Sequence, residues 1–209
     1  MIKISATQLE SYRRLLDGAL SAKQFERQLL RLDPPNPMMK KGIAFHSMMQ
    51  TEDPTRFEGT FSSNCIVNAR SKMDYRSKVF EHRTWKIYRT KFGDILVAGV
   101  ADQLLGLGVV EIKTKYSPIS YDAYAESMQW RVYCELFGAR FATYKIFEFK
   151  DTEADDFRNY AEITFERPAF NDAKVFDMIH YLHEYIMIRG LQDEPVLQVK
   201  KNGRYKGVL

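Results

Sequence analysis

At 209 residues, with 45% hydrophobic and 28% charged residues, the chain is long enough for one well-buried core, and its composition is that of a folded protein rather than a disordered polyelectrolyte. No apolar run approaches the ~18 residues of a membrane span, and the first residues lack the apolar stretch of a secretory signal, so a single cytoplasmic domain is expected. Two widely separated cysteines, Cys65 and Cys134, exclude a cysteine-rich zinc or iron–sulfur site, and the net charge of +4 is uneven: residues 1–100 carry 17 Lys/Arg against 10 Asp/Glu, the remainder 14 against 17. A basic first half is compatible with a polyanionic partner.

Taken in chain order, Thr7 and Glu10 have capping-box spacing and open a first helix whose stripe is Leu9, Tyr12, Leu15 and Leu16, up to Gly18. Asn36-Pro37 opens a second, carrying Met38, Gly42, Ile43, Phe45, His46 and Met49 before Asp53-Pro54 ends it. Residues 57–82 give no clear period. From Thr84 the pattern alternates, and Trp85–Arg89, Ile95–Asp102 and Leu107–Lys113 read as three strands of a meander. Pro118 and Ser120 introduce a helix running to Phe137 and closed by Gly138. Phe141–Phe149 and Tyr160–Phe165 read as strands, and Phe170–Arg189 as an amphipathic helix with Phe176, Ile179, Tyr181, Leu182 and Ile186 on its stripe. Asn202-Gly203 in the basic tail has the chemistry of a type I′ hairpin. The pattern predicts an α/β fold with a central mixed sheet flanked by helices, one domain over 1–209, its core motifs in 37–150 and a C-terminal helix and basic tail in 168–209.

The chemistry centres on Asp102 and, nine residues later, Glu111-Ile112-Lys113. Strand side chains alternate, so Glu111 and Lys113 share a face that Val110 and Ile112 do not. Gly106-Leu107 suits a two-residue type II′ loop, which would pair Leu105 with Gly108 and Asp102 with Glu111. Opposed carboxylates repel, and a divalent cation such as Mg²⁺ removes the cost, since it takes one or two carboxylates plus waters and phosphate oxygens. A lysine beside them can orient the attacking water or stabilise charge on the phosphorane. The competing reading is a solvated hairpin with a Glu/Lys pair.

Four motifs occur in the order Gly42-Ile-Ala-Phe-His46, Gly99-Val-Ala-Asp102, Glu111-Ile-Lys113 and Gln129-Trp-Arg-Val-Tyr133. Over roughly residues 5–150 they resemble the RecB-like nucleases of the PD-(D/E)xK superfamily, and a free-standing chain without the four cluster cysteines or a motor domain is most similar to the phage recombination exonucleases. The resemblance implies a PD-(D/E)xK core, Mg²⁺ or Mn²⁺ held by His46, Asp102, Glu111 and the carbonyl of Ile112, catalysis by Asp102, Glu111 and Lys113, and Gln129 with Tyr133 organising the site and contacting nucleic acid. It implies a DNA exonuclease of recombination, repair or phage DNA processing, acting on double-stranded ends or single strands, with a recombination protein or further copies of itself as partners. The alternatives are an endonuclease, an RNA substrate, and a non-catalytic binding module on the same fold. For His46 the competing role is a core histidine, and for Gln129 and Tyr133 a packed pair. Of Tyr116, Tyr121 and Tyr124, which follow the catalytic strand, aromatic stacking on unpaired bases is one use and core packing the other.

Overall fold

Ile2 and Ile4 alternate inward with outward neighbours, and this start of the chain is a strand, β1 (Ile2–Ser5). The computed structural model describes residues 1–74 and 80–199; the Asn202-Gly203 hairpin and part of the basic segment after Arg70 lie outside them. Ser5 ends β1 and caps helix α1 (Ala6–Leu16), in a capping box with Gln8. The box predicted on Thr7 and Glu10 is therefore displaced by two residues, because β1 consumes the residues before it, and Glu10 is freed for another task. Ser21 and Gln24 repeat the device at α2 (Ala22–Leu29), an element without a predicted counterpart. Asn36 caps α3 (Pro37–Gln50) with proline at its first turn, as expected, and Ser62 caps α4 (Ser63–Ser71) inside the region that showed no clear period.

The predicted meander is present as β2 (Phe80–Thr90), β3 (Gly93–Leu105) and β4 (Gly108–Lys115). The single helix expected before Gly138 is two, α5 (Tyr121–Ala125) and α6 (Met128–Phe137), because Ser127 caps a new start; Gly138 closes α6 at φ +61°. β5 (Phe141–Phe149), β6 (Phe157–Glu166) and α7 (Asn171–Ile188) complete the chain. The sheet runs β1-β3-β4-β5-β6 with β2 on β3, and it is mixed: β1 joins β3 and β4 joins β5 in parallel, the rest antiparallel. The fold is α/β, as predicted.

Each face of the sheet buries its own core. On one, Val109 of β4 and Tyr144 and Ile146 of β5 meet α1, α2, α6 and α7. On the other, Ile112, Phe147 and Phe149 meet Phe45, Met48 and Met49 of α3 and the apolar side of α4. This alternation along β4 and β5 is the two-residue period of a strand buried on both sides. Not every predicted apolar stripe faces in: Met38 and Ile43 of α3 and Phe176 and Tyr181 of α7 are exposed. Buried Lys41 of α3 donates from Nζ to the carbonyl of Thr152 (2.7 Å) and to that of Ala154, and lies over the rings of Phe61 and Phe149, fastening α3 to the β5–β6 loop. No helix of the described residues is long and apolar enough to cross a membrane.

Candidate active site

β3 is shared unequally along its two edges. β2 pairs with one edge from Gly93 to Gln103; the other is taken by β1 at Ile95–Ala98 and by β4 at Gln103–Leu105. Between these two partners the stretch 99–102 forms a fork, and Asp102 stands where β4 departs. The loop at the far end is the one anticipated: Leu105 pairs with Gly108, and Gly106 has φ +55° while Leu107 does not share the positive φ, as a type II′ turn requires. The ladder stops at Gln103–Val110, however, one pair short of Asp102 and Glu111. In place of a cross-strand pair, each carboxylate reaches the other strand's backbone: Ile112 N–H donates to Asp102 Oδ2 at 2.7 Å, and Asp102 N–H points to Glu111 Oε1 at 3.4 Å. Splaying the strands moves two like charges off the directly opposed position, where repulsion is largest.

The other predicted residues arrive from three directions. His46 comes from α3, on the opposite core, and its Nδ1 lies 3.2 Å from Asp102 Oδ1. With the proton on Nδ1, a neutral ring keeps its lone pair on Nε2. Lys113 Nζ donates to Glu111 Oε2 at 3.2 Å and sits 5.7 Å from the centre of the Tyr144 ring. Gln129 Nε2 donates to Tyr133 Oη at 3.2 Å across one turn of α6. Gly99 permits α6 to lie on this part of β3: a Cβ there would come within 2.9 Å of the Tyr133 ring and of Leu136 Cδ1. Gly42 does the same for α3, where a Cβ would meet Thr114 Oγ1 at 2.9 Å.

Electrostatics divide the two carboxylates. Glu111 is 4% exposed, and burial, reinforced by Asp102 and opposed by Lys113, pushes its carboxyl up to about 8. Burial also acts to raise Asp102, but the His46 hydrogen bond, Lys113 and the Ile112 N–H outweigh it and hold Asp102 below its ordinary value. Tyr133 is pushed well up, by burial first and then by Glu111, so the acidic pair faces the tyrosine of α6.

Among the described residues no three His, Cys, Asp or Glu side chains stand together as a finished metal cage. The donor set still suits a hard divalent cation. Asp102 and Glu111 each spend about one lone pair per oxygen on the contacts above, leaving a second on each; the His46 imidazole adjoins Asp102.

No family model matches the chain, and no curated protein matches its sequence. Solved structures do. A protein named SSO0001 aligns with TM-score 0.55 and 17% identity, over 90% of this chain and 77% of that one. LHK-Exo in complex with dAMP aligns with TM-score 0.50 and 17% identity, over 91% of both chains. The chain has the fold of LHK-Exo. LHK-Exo is an alkaline exonuclease from Laribacter hongkongensis; what the two chains share is the α/β architecture anticipated from the sequence. The stretch containing Asp102, Glu111 and Lys113 is a hairpin in the middle of that shared sheet.

One residue supporting the site was missed by motif reading. Glu10 Oε2 accepts from Met128 N–H at 2.6 Å and from Ser127 Oγ at 3.0 Å, so a carboxylate of α1 sits at the start of the helix that carries Gln129 and Tyr133. Arg13 holds Glu10 from the other side at 2.7 Å. The i,i+3 spacing of Glu10 and Arg13 was visible; their distance from Met128 in the chain hid the contact. Of the three tyrosines after β4, Tyr124 packs on Tyr144 at 4.9 Å between ring centres, Tyr121 lies near Phe165, and Tyr116 borders an open groove beside α3.

Proposed function

We propose that the chain is a divalent-metal-dependent nuclease that hydrolyses DNA phosphodiester bonds and works from strand ends. The observation carrying this reading is the meeting of Asp102, Glu111, Lys113 and His46 at the β3–β4 fork. The shared fold with LHK-Exo, whose complex holds dAMP, adds support for DNA as substrate.

His46, Asp102, Glu111 and the Ile112 carbonyl would hold Mg²⁺ or Mn²⁺, which when bound supplies Lewis acidity at the phosphoryl oxygen. The chain's own groups do the rest. Lys113 Nζ, now on Glu111 Oε2, donates to the phosphate oxygen that gains charge during attack, or fixes the orientation of the incoming water. Asp102 keeps the His46 ring in one orientation through Nδ1. Gln129 spends one N–H on Tyr133 and retains a second donor and its carbonyl for the DNA backbone. In a cell the activity belongs to recombination, repair or phage DNA processing, with any unwinding supplied by a partner protein.

End-labelled linear DNA and closed circular DNA, incubated with and without Mg²⁺ or Mn²⁺, test the proposal. Metal-dependent release of nucleotides from linear DNA alone is expected. Nicked circles would replace end-directed action with endonuclease action, and intact DNA under every metal would leave a binding module on a nuclease fold.

A further inference from the structure

Helix α6 carries Gln129 and Tyr133 on one side, and Arg131, two residues from each, projects from the opposite side. There it meets the first turn of α7, where the fully buried Asn171 donates from Nδ2 to the Arg131 carbonyl at 3.0 Å. Lys174 follows Asn171 by one turn on the same face of α7. The junction of α6 and α7 thus brings together an arginine and a lysine far round the helix from the β3–β4 fork.

Among the described residues four arginines are partly buried: Arg13, Arg70, Arg131 and Arg167. Three of them have acceptors. Arg13 reaches Glu10 and Asp17, Arg70 the carbonyls of Met48 and Thr51, and Arg167 Glu135 and Asp172. Arg131 differs: its Nε is closed off from solvent without a partner, and its guanidinium lies 4.2 Å over the Trp130 ring. A ring takes the face of a guanidinium and leaves the donors along its edge unused. Burial lowers the proton affinity of both Arg131 and Lys174, Arg131 and Arg13 lower that of Lys174 further, and no carboxylate opposes them. Glu10, Asp17 and Asp172 are already held by Arg13 and Arg167. The α7 N-cap position falls to Phe170, 83% exposed, so no side chain caps the first-turn amides either. Partly desolvated cations without a counter-ion are costly, and a bound anion removes the cost.

We propose that this junction binds a phosphate-type oxyanion, as inorganic phosphate or as the phosphate of a nucleoside monophosphate. The edge of the Arg131 guanidinium matches two oxygens of a tetrahedral anion, Lys174 Nζ meets a third as a point charge, and the uncapped start of α7 adds the positive end of a helix dipole. The anion lies across α6 from Gln129 and Tyr133, so its binding needs neither metal nor cleavage.

Arginine side-chain NMR on the full chain tests this, with EDTA present and ionic strength held constant with chloride. The Arg131 Nε–H signal is assigned by its loss in Arg131→Lys. Inorganic phosphate should shift that signal along a saturating curve. Lys174→Gln should weaken the binding about tenfold, the effect of losing one charge-assisted hydrogen bond, and Lys174→Arg should restore most of it. Lys174 is exposed, so its variants keep the fold. A parallel titration with deoxyadenosine monophosphate separates the two sources: tighter binding than phosphate assigns the site to nucleotides, and weaker binding assigns it to the free ion. A shift that grows linearly with phosphate, or that Lys174→Gln leaves unchanged, would overturn the proposal. So would a signal that answers only to a DNA strand, which would make the junction a contact for the nucleic-acid backbone.

Discussion

Glu111 is held in a buried position beside a second carboxylate, and its raised proton affinity has a sign that can be followed in the stability of the protein. The folded chain keeps a proton at Glu111 up to about pH 8, whereas an unfolded glutamate releases it near pH ~4.3. With metal stripped by EDTA, the folded state therefore binds more protons across this window, and the contribution of Glu111 falls as pH rises through it. The loss is roughly 3–5 kcal/mol at the upper end. Urea unfolding at pH 5, 6.5 and 8 should show E111Q gaining on wild type as pH increases; parallel profiles would mean that Glu111 is ordinarily solvated. Lys113 answers to a different measurement. It reaches Glu111 but is a donor only, so Lys113→Ala should keep metal and DNA affinity while kcat drops about 10²–10³-fold, the usual effect of removing one transition-state donor. Turnover at the wild-type rate would take Lys113 out of the mechanism.

At the scale of the element, the site depends on how closely helices approach strands. Gly99 in β3 is the test case, because alanine in a strand is ordinarily better than glycine. Here its Cβ meets the Tyr133 ring and Leu136, so Gly99→Ala should cost about 1–3 kcal/mol by overpacking, and Leu136→Ala in the same chain should return part of it. A thermal-melt cycle over the single and double variants measures this; additive losses would place the two residues out of contact. The elements also show what a sequence can disclose. Strands β2, β3 and β4 were legible because they are neighbours joined by short turns, with Gly106 marking one of them. The strand β1 was not: four residues long, it is defined by pairing with Ile95–Ala98, a partner no local pattern could reveal. The break between α5 and α6 was hidden for another reason: Ser127, whose Oγ accepts from the Gln129 N–H, starts α6 with no proline or glycine to mark the spot, and a lone serine reads equally as an exposed helical residue. Motif order brought the candidate site within view, yet not the splayed geometry of Asp102 and Glu111, which depends on β1 and β4 sharing one edge of β3.

Across the whole molecule, the site draws on both faces of the sheet. His46 belongs to the helix over the Phe45 and Phe147 core, which Lys41 fastens at its other end, whereas Tyr133 belongs to the core beneath α6. A cation held by His46, Asp102 and Glu111 would tie those layers together and bind the folded state alone. Mn²⁺ at about 100 times its dissociation constant should therefore stabilise wild type by about 2.7 kcal/mol. The same addition should move the melting temperature of E111Q much less. A calorimetric scan in which both proteins respond alike would assign the effect to some other part of the surface.

The fork in β3 also sorts contacts by their distance along the chain. The meander of residues 80–115 closes through tight turns and needs only nearby sequence, whereas β1 must find Ile95–Ala98 from 93 residues away, and α3 must bring His46 in from 56 residues before Asp102. Local contacts carry little loop-closure entropy and form first; distant ones wait. We expect Asp102, Glu111 and Lys113 to gather before His46 arrives to share the charge of Asp102. A divalent cation that the site holds as proposed would then act on the rate of refolding as well as on catalysis.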